Sequence, residues 1–219
     1  MPTLQVRHDV EQSGDAARQS ARLRGIFDAW RWDGGIREWR EIAGDTSRVV
    51  AEEAAKADLV VIGIGPERQH AGANRAVHAA LFDARQTTLL TPPAVPVSLG
   101  RNVAIAWKPG GAANPAVEAA IPLLLCAEHV TVLLEMGDGG AAPDDLPGAL
   151  QRAGIAADVV RFQAGDQSTG EALIARAHAA NADLLVMGAF TRGGLKDFIL
   201  GGTTRDVLAA AGIPVLMRH

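Results

Sequence analysis

The chain has 219 residues, of which 48% are hydrophobic, so it holds enough apolar material for one large or two ordinary α/β domains. The formal net charge is only −4, with acidic and basic residues mixed along the chain, which disfavours a nucleic-acid-binding protein. The apolar runs are too short to span a bilayer and the N-terminus lacks signal-peptide features, so we expect a cytoplasmic protein with no membrane partner. A single cysteine, Cys126, excludes an intramolecular disulfide, and we expect a buried structural thiol.

Strand and helix patterns alternate through residues 1–91. The predicted strands are Thr3–Val6, Ile36–Ile42, a buried Leu59–Ile62, and Thr87–Leu90. The predicted helices are Asp15–Arg31, a segment capped by Gly44–Ser47 that runs through Lys56, and Ala76–Phe82. Residues 92–100 belong to a proline-rich linker, which is stiff because each proline fixes its own φ and restricts its predecessor.

The same alternation fills residues 101–219. The predicted strands are Val103–Trp107, Val130–Leu134, Ala157–Phe162, Leu184–Met187 and Ile213–Met217. The predicted helices are Asn114–Glu128, Asp144–Ala153, Gly170–Ala180 and Arg205–Ala211. Strict alternation with apolar strand runs predicts an α/β fold with a doubly wound parallel sheet.

The two halves repeat one another. Ala57–Gly63 matches Ala182–Gly188, and Gly44-Asp45 matches Gly165-Asp166, which indicates a tandem duplication. We therefore predict a degenerate repeat at 1–91, a linker at 92–100 and a complete domain at 101–219. The first half has no counterpart of Val103–Glu128, whose strand would be central in a flavodoxin-like sheet. Either a partner or the N-terminal segment fills that place, or the strand order differs.

One stretch near the C-terminus has the pattern of an anion site. An apolar strand stops at Gly188, a glycine-rich loop follows, and Gly201-Gly202-Thr203-Thr204 opens a helix. Because glycine allows close backbone approach and a helix N-terminus carries partial positive charge, this pattern favours phosphate binding, with either threonine as the cap. The alternative is a tight connection that is merely rich in glycine. Other candidates are Arg192, which is either a phosphate ligand or a solvated charge, and Trp107, which is either an adenine platform or core packing.

The segments Ala-Asp-Leu-Leu-Val-Met-Gly, Gly-Gly-Thr-Thr-Arg-Asp-Val-Leu and Ile-Pro-Val-Leu-Met resemble the universal stress protein family in its two-domain bacterial form. The resemblance implies tandem adenine-nucleotide-binding-like repeats, frequent dimers, and ATP binding in some members. The family's ATP-binding pattern would lie on Gly188, Thr191, Gly201 and Gly202. Thr191 replaces a glycine and Gly202 replaces a hydroxyl residue, although two threonines follow. Lys108 stands where ATP-binding members have an acidic residue; it could meet a phosphate, but it cannot accept from ribose hydroxyls.

Two functions follow from these patterns. The first is a non-catalytic stress-response module that binds ATP or a related adenine nucleotide at Gly188–Thr204, with slow ATP hydrolysis at most. The second is a dimeric interaction protein of the same fold with a vestigial pocket. We expect a homodimer in either case. The six histidines show no paired metal spacing, so no metal site is predicted.

Overall fold

A computed structural model describes residues 3–8, 13–31, 34, 36–64, 71–94, 97–108, 113–136, 146–189 and 202–219. The strands in these ranges are β1 Thr3–His8, β2 Glu38–Ala43, β3 Val60–Gly63, β4 Thr88–Thr91, β5 Asn102–Trp107, β6 His129–Glu135, β7 Asp158–Phe162, β8 Leu184–Gly188 and β9 Val215–Arg218. The helices are α1 Ser13–Ala29, α2 Thr46–Ala54, α3 Ala71–His78, α4 Asn114–Leu124, α5 Gly148–Ala153, α6 Thr169–Ala179 and α7 Gly202–Ala210. A π-helical turn, Ala79–Asp83, continues α3.

The strands form a two-stranded sheet, β1-β2, and a seven-stranded sheet of order β3-β4-β9-β8-β5-β6-β7. Every neighbouring pair is parallel except β4 and β9, in which Thr88 lies opposite Met217. The prediction of a mostly parallel α/β sheet is therefore confirmed. Strands from both halves of the chain share the larger sheet, and β5, the first strand of the second half, lies between β6 and β8.

The central strands of the larger sheet are buried on both faces, which explains their continuous apolar runs. All five residues of β8 are buried. One core cluster packs beneath α6 and α7 and includes Leu185 and Met187, whereas the other packs beneath α4 and α5 and includes Leu184 and Val186. Because successive side chains of a strand point to opposite faces, β8 supplies residues to both cores.

Local sequence signals set the starts of two helices. Asp45 caps α2 by accepting a hydrogen bond from the Arg48 amide at 3.0 Å. Ser168 and Glu171 form a reciprocal capping box at the start of α6, which satisfies two amides that have no partner within the helix. No helix in the described ranges is both long enough and apolar enough to cross a membrane.

Two burial predictions are wrong. The segment Leu59–Ile62 was expected to be fully buried, but β3 ends the order of the larger sheet, and Val61 is 58% exposed. Its apolar run resembles that of β8, yet among the described strands it pairs with β4 alone. Cys126 is exposed rather than buried, because α4 ends at Leu124 and the thiol follows in the turn before β6.

Candidate functional site

The chain changes direction across the sheet between β5 and β8. From β5 it proceeds outward to β6 and β7, and from β8 it proceeds the other way to β9. The two strands are parallel neighbours, with Ile105 opposite Val186, so the segments that follow them leave the same edge of the sheet. Open α/β sheets bind ligands in the crevice at such a switch point. Lys108 and Ala189 are the first residues beyond these two strands.

The helix that borders this crevice begins earlier than the sequence predicted. We expected a helix from Arg205 capped by Thr203 or Thr204, but α7 already includes Gly202, so both threonines lie in its first turn. The prediction that either one is the cap is therefore wrong. A Cβ placed on Gly202 would meet no atom of the described residues within 4 Å.

The hydroxyl of Thr204 is an unsatisfied polar group. Thr204 is fully buried, and its Oγ1 has no hydrogen-bond partner within the described part of the chain. A buried hydroxyl without a partner costs about 1–3 kcal/mol in proteins. The first turn of α7 therefore combines amides that have no partner within the helix with a hydroxyl to which a ligand could hydrogen-bond.

A close helix crossing fixes the first turn of α7. A Cβ on Gly170, in the first turn of α6, would lie 2.7 Å from the Cβ of Asp206 and 2.9 Å from the carbonyl oxygen of Thr203. Because real Cβ atoms do not approach other atoms so closely, only glycine permits this spacing. The position of the α7 N-terminus thus depends on a residue of α6 that the sequence reading did not select.

A second polar contact joins α6 to the sheet edge. Thr169 Oγ1 donates a hydrogen bond to Oε1 of Glu135 at 2.7 Å. Glu135 ends β6, which is the neighbour of β5. Neither residue was predicted, and the signal that could have found them is the Ser-Thr-Gly run at the start of α6, which shares threonine and glycine with the start of α7.

The structure separates one of the predicted site residues, Trp107, from α7. Trp107 is 6% exposed and belongs to the core beneath α4 and α5, together with Val117, whereas α7 packs on the opposite face of the sheet. Its indole therefore lies on the far side of the sheet from Thr203 and Thr204. Lys108 is exposed beyond the end of β5.

The remaining predicted residues divide into two groups. Gly188 is buried at the end of β8 and lies opposite Arg218 of β9. Thr191, Arg192 and Gly201 lie outside the described residues. Among the described residues, no group of three or more His, Cys, Asp or Glu side chains could hold a metal ion.

Comparisons with known proteins identify the family. The family model described as "Universal stress protein family" matches residues 71–219. The fold is similar to that of a universal stress protein from Archaeoglobus fulgidus DSM 4304, with a TM-score of 0.72 at 16% identity, covering 99% of this chain and 87% of that one. It is also similar to a putative universal stress protein from Pseudomonas aeruginosa UCBPP-PA14, with a TM-score of 0.57 at 17% identity, covering 99% and 81%. A search of curated proteins gave no match.

Proposed function

The chain belongs to the universal stress protein family, and from this premise we propose that it binds ATP or a related adenine nucleotide in the crevice between β5 and β8. Its role is that of a binding module in a stress response rather than that of a catalyst. The observation that carries the proposal is the first turn of α7, where neither the buried Thr204 hydroxyl has a partner nor a Cβ on Gly202 would have a contact within 4 Å among the described residues.

The chemistry of this turn suits a phosphate group. The first amides of a helix have no partner within the helix, and the helix dipole adds partial positive charge there. The missing side chain of Gly202 lets a phosphate approach the backbone closely. Lys108, exposed at the end of the neighbouring β5, adds a full positive charge at the same edge of the sheet. A bound nucleotide would supply negative phosphate oxygens that accept hydrogen bonds from these amides and from the Lys108 ammonium group.

A melting experiment tests the proposal. A ligand that binds only the folded state stabilises it by RT ln(1 + [L]/Kd), or about 2.7 kcal/mol at one hundred times Kd. We expect millimolar ATP with Mg²⁺ to raise the melting temperature, and adenosine, which lacks phosphates, to raise it less. An unchanged melting temperature with ATP, together with no nucleotide in gently purified protein, would contradict the proposal.

A second candidate function is a dimeric regulatory protein with a vestigial pocket, in which the first half is a degenerate repeat. It is favoured by the open edge of β3, because no strand in the described ranges pairs with its outer side. Large apolar side chains are exposed in or next to β3, at Leu59 and Val61. Others are exposed in α1 or between α1 and β2, at Ile26, Trp30 and Ile36. Unpaired edges and exposed apolar patches normally find a partner, which here would be a second copy of the chain.

Sedimentation at micromolar concentration tests the second candidate. We expect a dimer that Val61→Lys weakens, since a charge on an edge strand opposes pairing. Val97→Lys is the control, because Val97 is likewise an exposed valine but lies outside every strand in the described ranges. A well-folded monomer would contradict dimerisation and leave the nucleotide proposal intact.

A further inference from the structure

A cleft of about 470 Å³ lies where the chain enters β4 and leaves β9. It is lined by Arg85, Pro115, Glu118, Ala119, Arg218 and His219, and we call it the Arg85 cleft. The antiparallel pairing of β4 with β9 creates it, because that pairing brings the start of one strand beside the end of the other. The volume falls within the range of small-molecule sites, about 300–1,000 Å³.

Positive charge dominates the cleft. Arg218 donates a hydrogen bond from Nη1 to the hydroxyl of Thr87 at 3.3 Å, a neutral partner that leaves the guanidinium charge uncompensated. Within the described part of the chain, no hydrogen bond or ion pair holds the side chain of Arg85. The acidic wall residue, Glu118, lies 3.2 Å from Arg152 in an ion pair. An anion entering the cleft would thus meet two guanidinium groups that lack acidic partners in the described structure.

The backbone of Arg85 adopts a conformation that glycine normally supplies. Its φ is +52°, and the turn is held by a hydrogen bond from the Gln86 amide to the Ala80 carbonyl oxygen at 2.9 Å. The corresponding turn before β9 has Gly212, with φ +61°, also three residues before its strand. A residue other than glycine carries backbone strain when its φ and ψ lie in the left-handed region, and such strain concentrates at functional sites. Arg85 therefore combines this strained backbone with a cationic side chain that lines the cleft.

The ring of His219 forms a further part of the wall. Its Nδ1 donates a hydrogen bond to the carbonyl oxygen of Ala189 at 3.1 Å, and its centroid lies 4.9 Å from that of Phe82. These two contacts fix the imidazole beside Arg218. The cleft therefore combines two cations with a positioned imidazole ring.

From these features we propose that the Arg85 cleft binds a small phosphorylated ligand, distinct from any nucleotide held at α7. Guanidinium forks bind phosphate oxygens in pairs, which favours a phosphate over a monovalent anion. The cleft differs from the site at α7 because one of its walls is α4, which packs on the opposite face of the sheet from α7, although His219 of the cleft contacts Ala189, the first residue beyond β8. The proposal does not depend on nucleotide binding.

Calorimetric titration with glycerol 3-phosphate tests this site, with glycerol as the neutral counterpart. We expect the phosphate ester to bind, glycerol not to bind, and Arg85→Gln to weaken the ester at least about tenfold, since a charge-assisted hydrogen bond is lost. Arg48→Gln is the matched control, because it removes one exposed arginine far away in sequence, on α2, and should leave binding unchanged. Glu118→Gln should strengthen binding a few-fold, because it removes the acidic charge from the wall.

Arg85→Gly separates binding from folding. It removes the cation but suits the left-handed backbone, so we expect lost binding with an unchanged or higher melting temperature. The proposal is overturned if wild type does not bind the ester at millimolar concentration, or if Arg85→Gln and Arg85→Gly bind it as wild type does. It is also overturned if binding persists in these variants and disappears in Gly202→Val, which would assign the phosphate to α7.

Discussion

Gly170 and Asp206 are in contact where α6 crosses α7, so closely that a Cβ on Gly170 would lie 2.7 Å from the Cβ of Asp206. The same hypothetical atom would lie 2.9 Å from the Thr203 carbonyl oxygen. The first turns of the two helices can therefore approach so closely only because Gly170 has no side chain. This crossing determines where the N-terminus of α7, and any ligand bound to it, can be.

The first prediction is that Gly170→Ala destabilises the protein, although alanine is the better helix former. Overpacking of this kind costs about 1–3 kcal/mol, because α7 must shift away from α6. Denaturant unfolding measures the effect. Gly25→Ala is the control: Gly25 is an exposed glycine within α1 whose Cβ would meet nothing within 4 Å, so alanine should stabilise by up to about 1 kcal/mol. Equal effects of the two changes would show that the crossing is not tight.

The starting point of α7 shows where local signals fail. The Gly-Gly-Thr-Thr run predicts a helix that begins at Arg205 and is capped by Thr203 or Thr204, whereas glycine is a poor helix former. The structure extends the helix through Gly202, and the contact with α6 explains why, since tertiary packing overrides weak propensity. The capping box at Ser168, in contrast, depends on residues three positions apart, and the start of α6 was predicted to within one residue.

The second prediction concerns the buried hydroxyl of Thr204. Thr204→Val keeps the shape and removes an unsatisfied polar atom, so we expect the free protein to become more stable by about 1 kcal/mol. ATP binding, measured by calorimetry, should weaken at the same time if the hydroxyl contacts the nucleotide. Thr46, in the first turn of α2, is also buried, and its Oγ1 has no partner among the described residues, so Thr46→Val should raise stability without affecting the ligand.

A loss of stability in Thr204→Val, beside a gain in Thr46→Val, would mean that the Thr204 hydroxyl has a partner in the protein. A gain in both, with ATP binding unchanged, would mean that the hydroxyl does not face the nucleotide.

The third prediction is a pH dependence from Glu53. A hydrogen bond from Lys56, whose Nζ lies 2.6 Å from Oε1, is the largest cause that lowers the pKa of Glu53, and Arg40 lowers it further against the opposing effect of burial. A lowered folded-state pKa gives stability that is present above the ordinary value of 4.5 and is lost as the pH falls through the folded value. Glu53→Gln should therefore cost about 0.5–1 kcal/mol at neutral pH, because both cations are partly solvated.

Urea unfolding of wild type and Glu53→Gln at several pH values measures this dependence. The difference should vanish in acid, where the wild-type carboxyl is protonated. Glu52→Gln is the control, since Glu52 is exposed and paired only with Arg48 in the described structure, and its effect should be smaller. A difference that persists unchanged in acid would contradict the assignment to the carboxylate charge.

Much of the fold could be predicted because its signals are local. Apolar runs and glycine boundaries located the strands to within a few residues. The edge position of β3 could not be predicted, since its run Val60–Ile62 is as apolar as Leu185–Met187 in the fully buried β8. Which of two similar strands lies inside a sheet depends on pairing with distant segments.

The site was predictable in part for the same reason. Gly188 and Gly202 lie within one stretch of sequence, so their motif is visible without a structure. Trp107 and α7 lie on opposite faces of the sheet. That separation depends on the topology, which the sequence does not show. The Arg85 cleft joins three segments far apart in the chain, so no local pattern marks it.

The most direct test of nucleotide binding at α7 is a calorimetric titration of wild type, Gly202→Val and Gly25→Val with ATP. We predict that wild type and Gly25→Val bind with the same Kd, while Gly202→Val binds at least about tenfold more weakly, because branched carbons occupy the space that a phosphate needs. Gly25→Val is matched, since both glycines lie in helices and have free space around the added Cβ. Equal binding by all three proteins, or no binding by wild type, would contradict the assignment of a nucleotide site to α7.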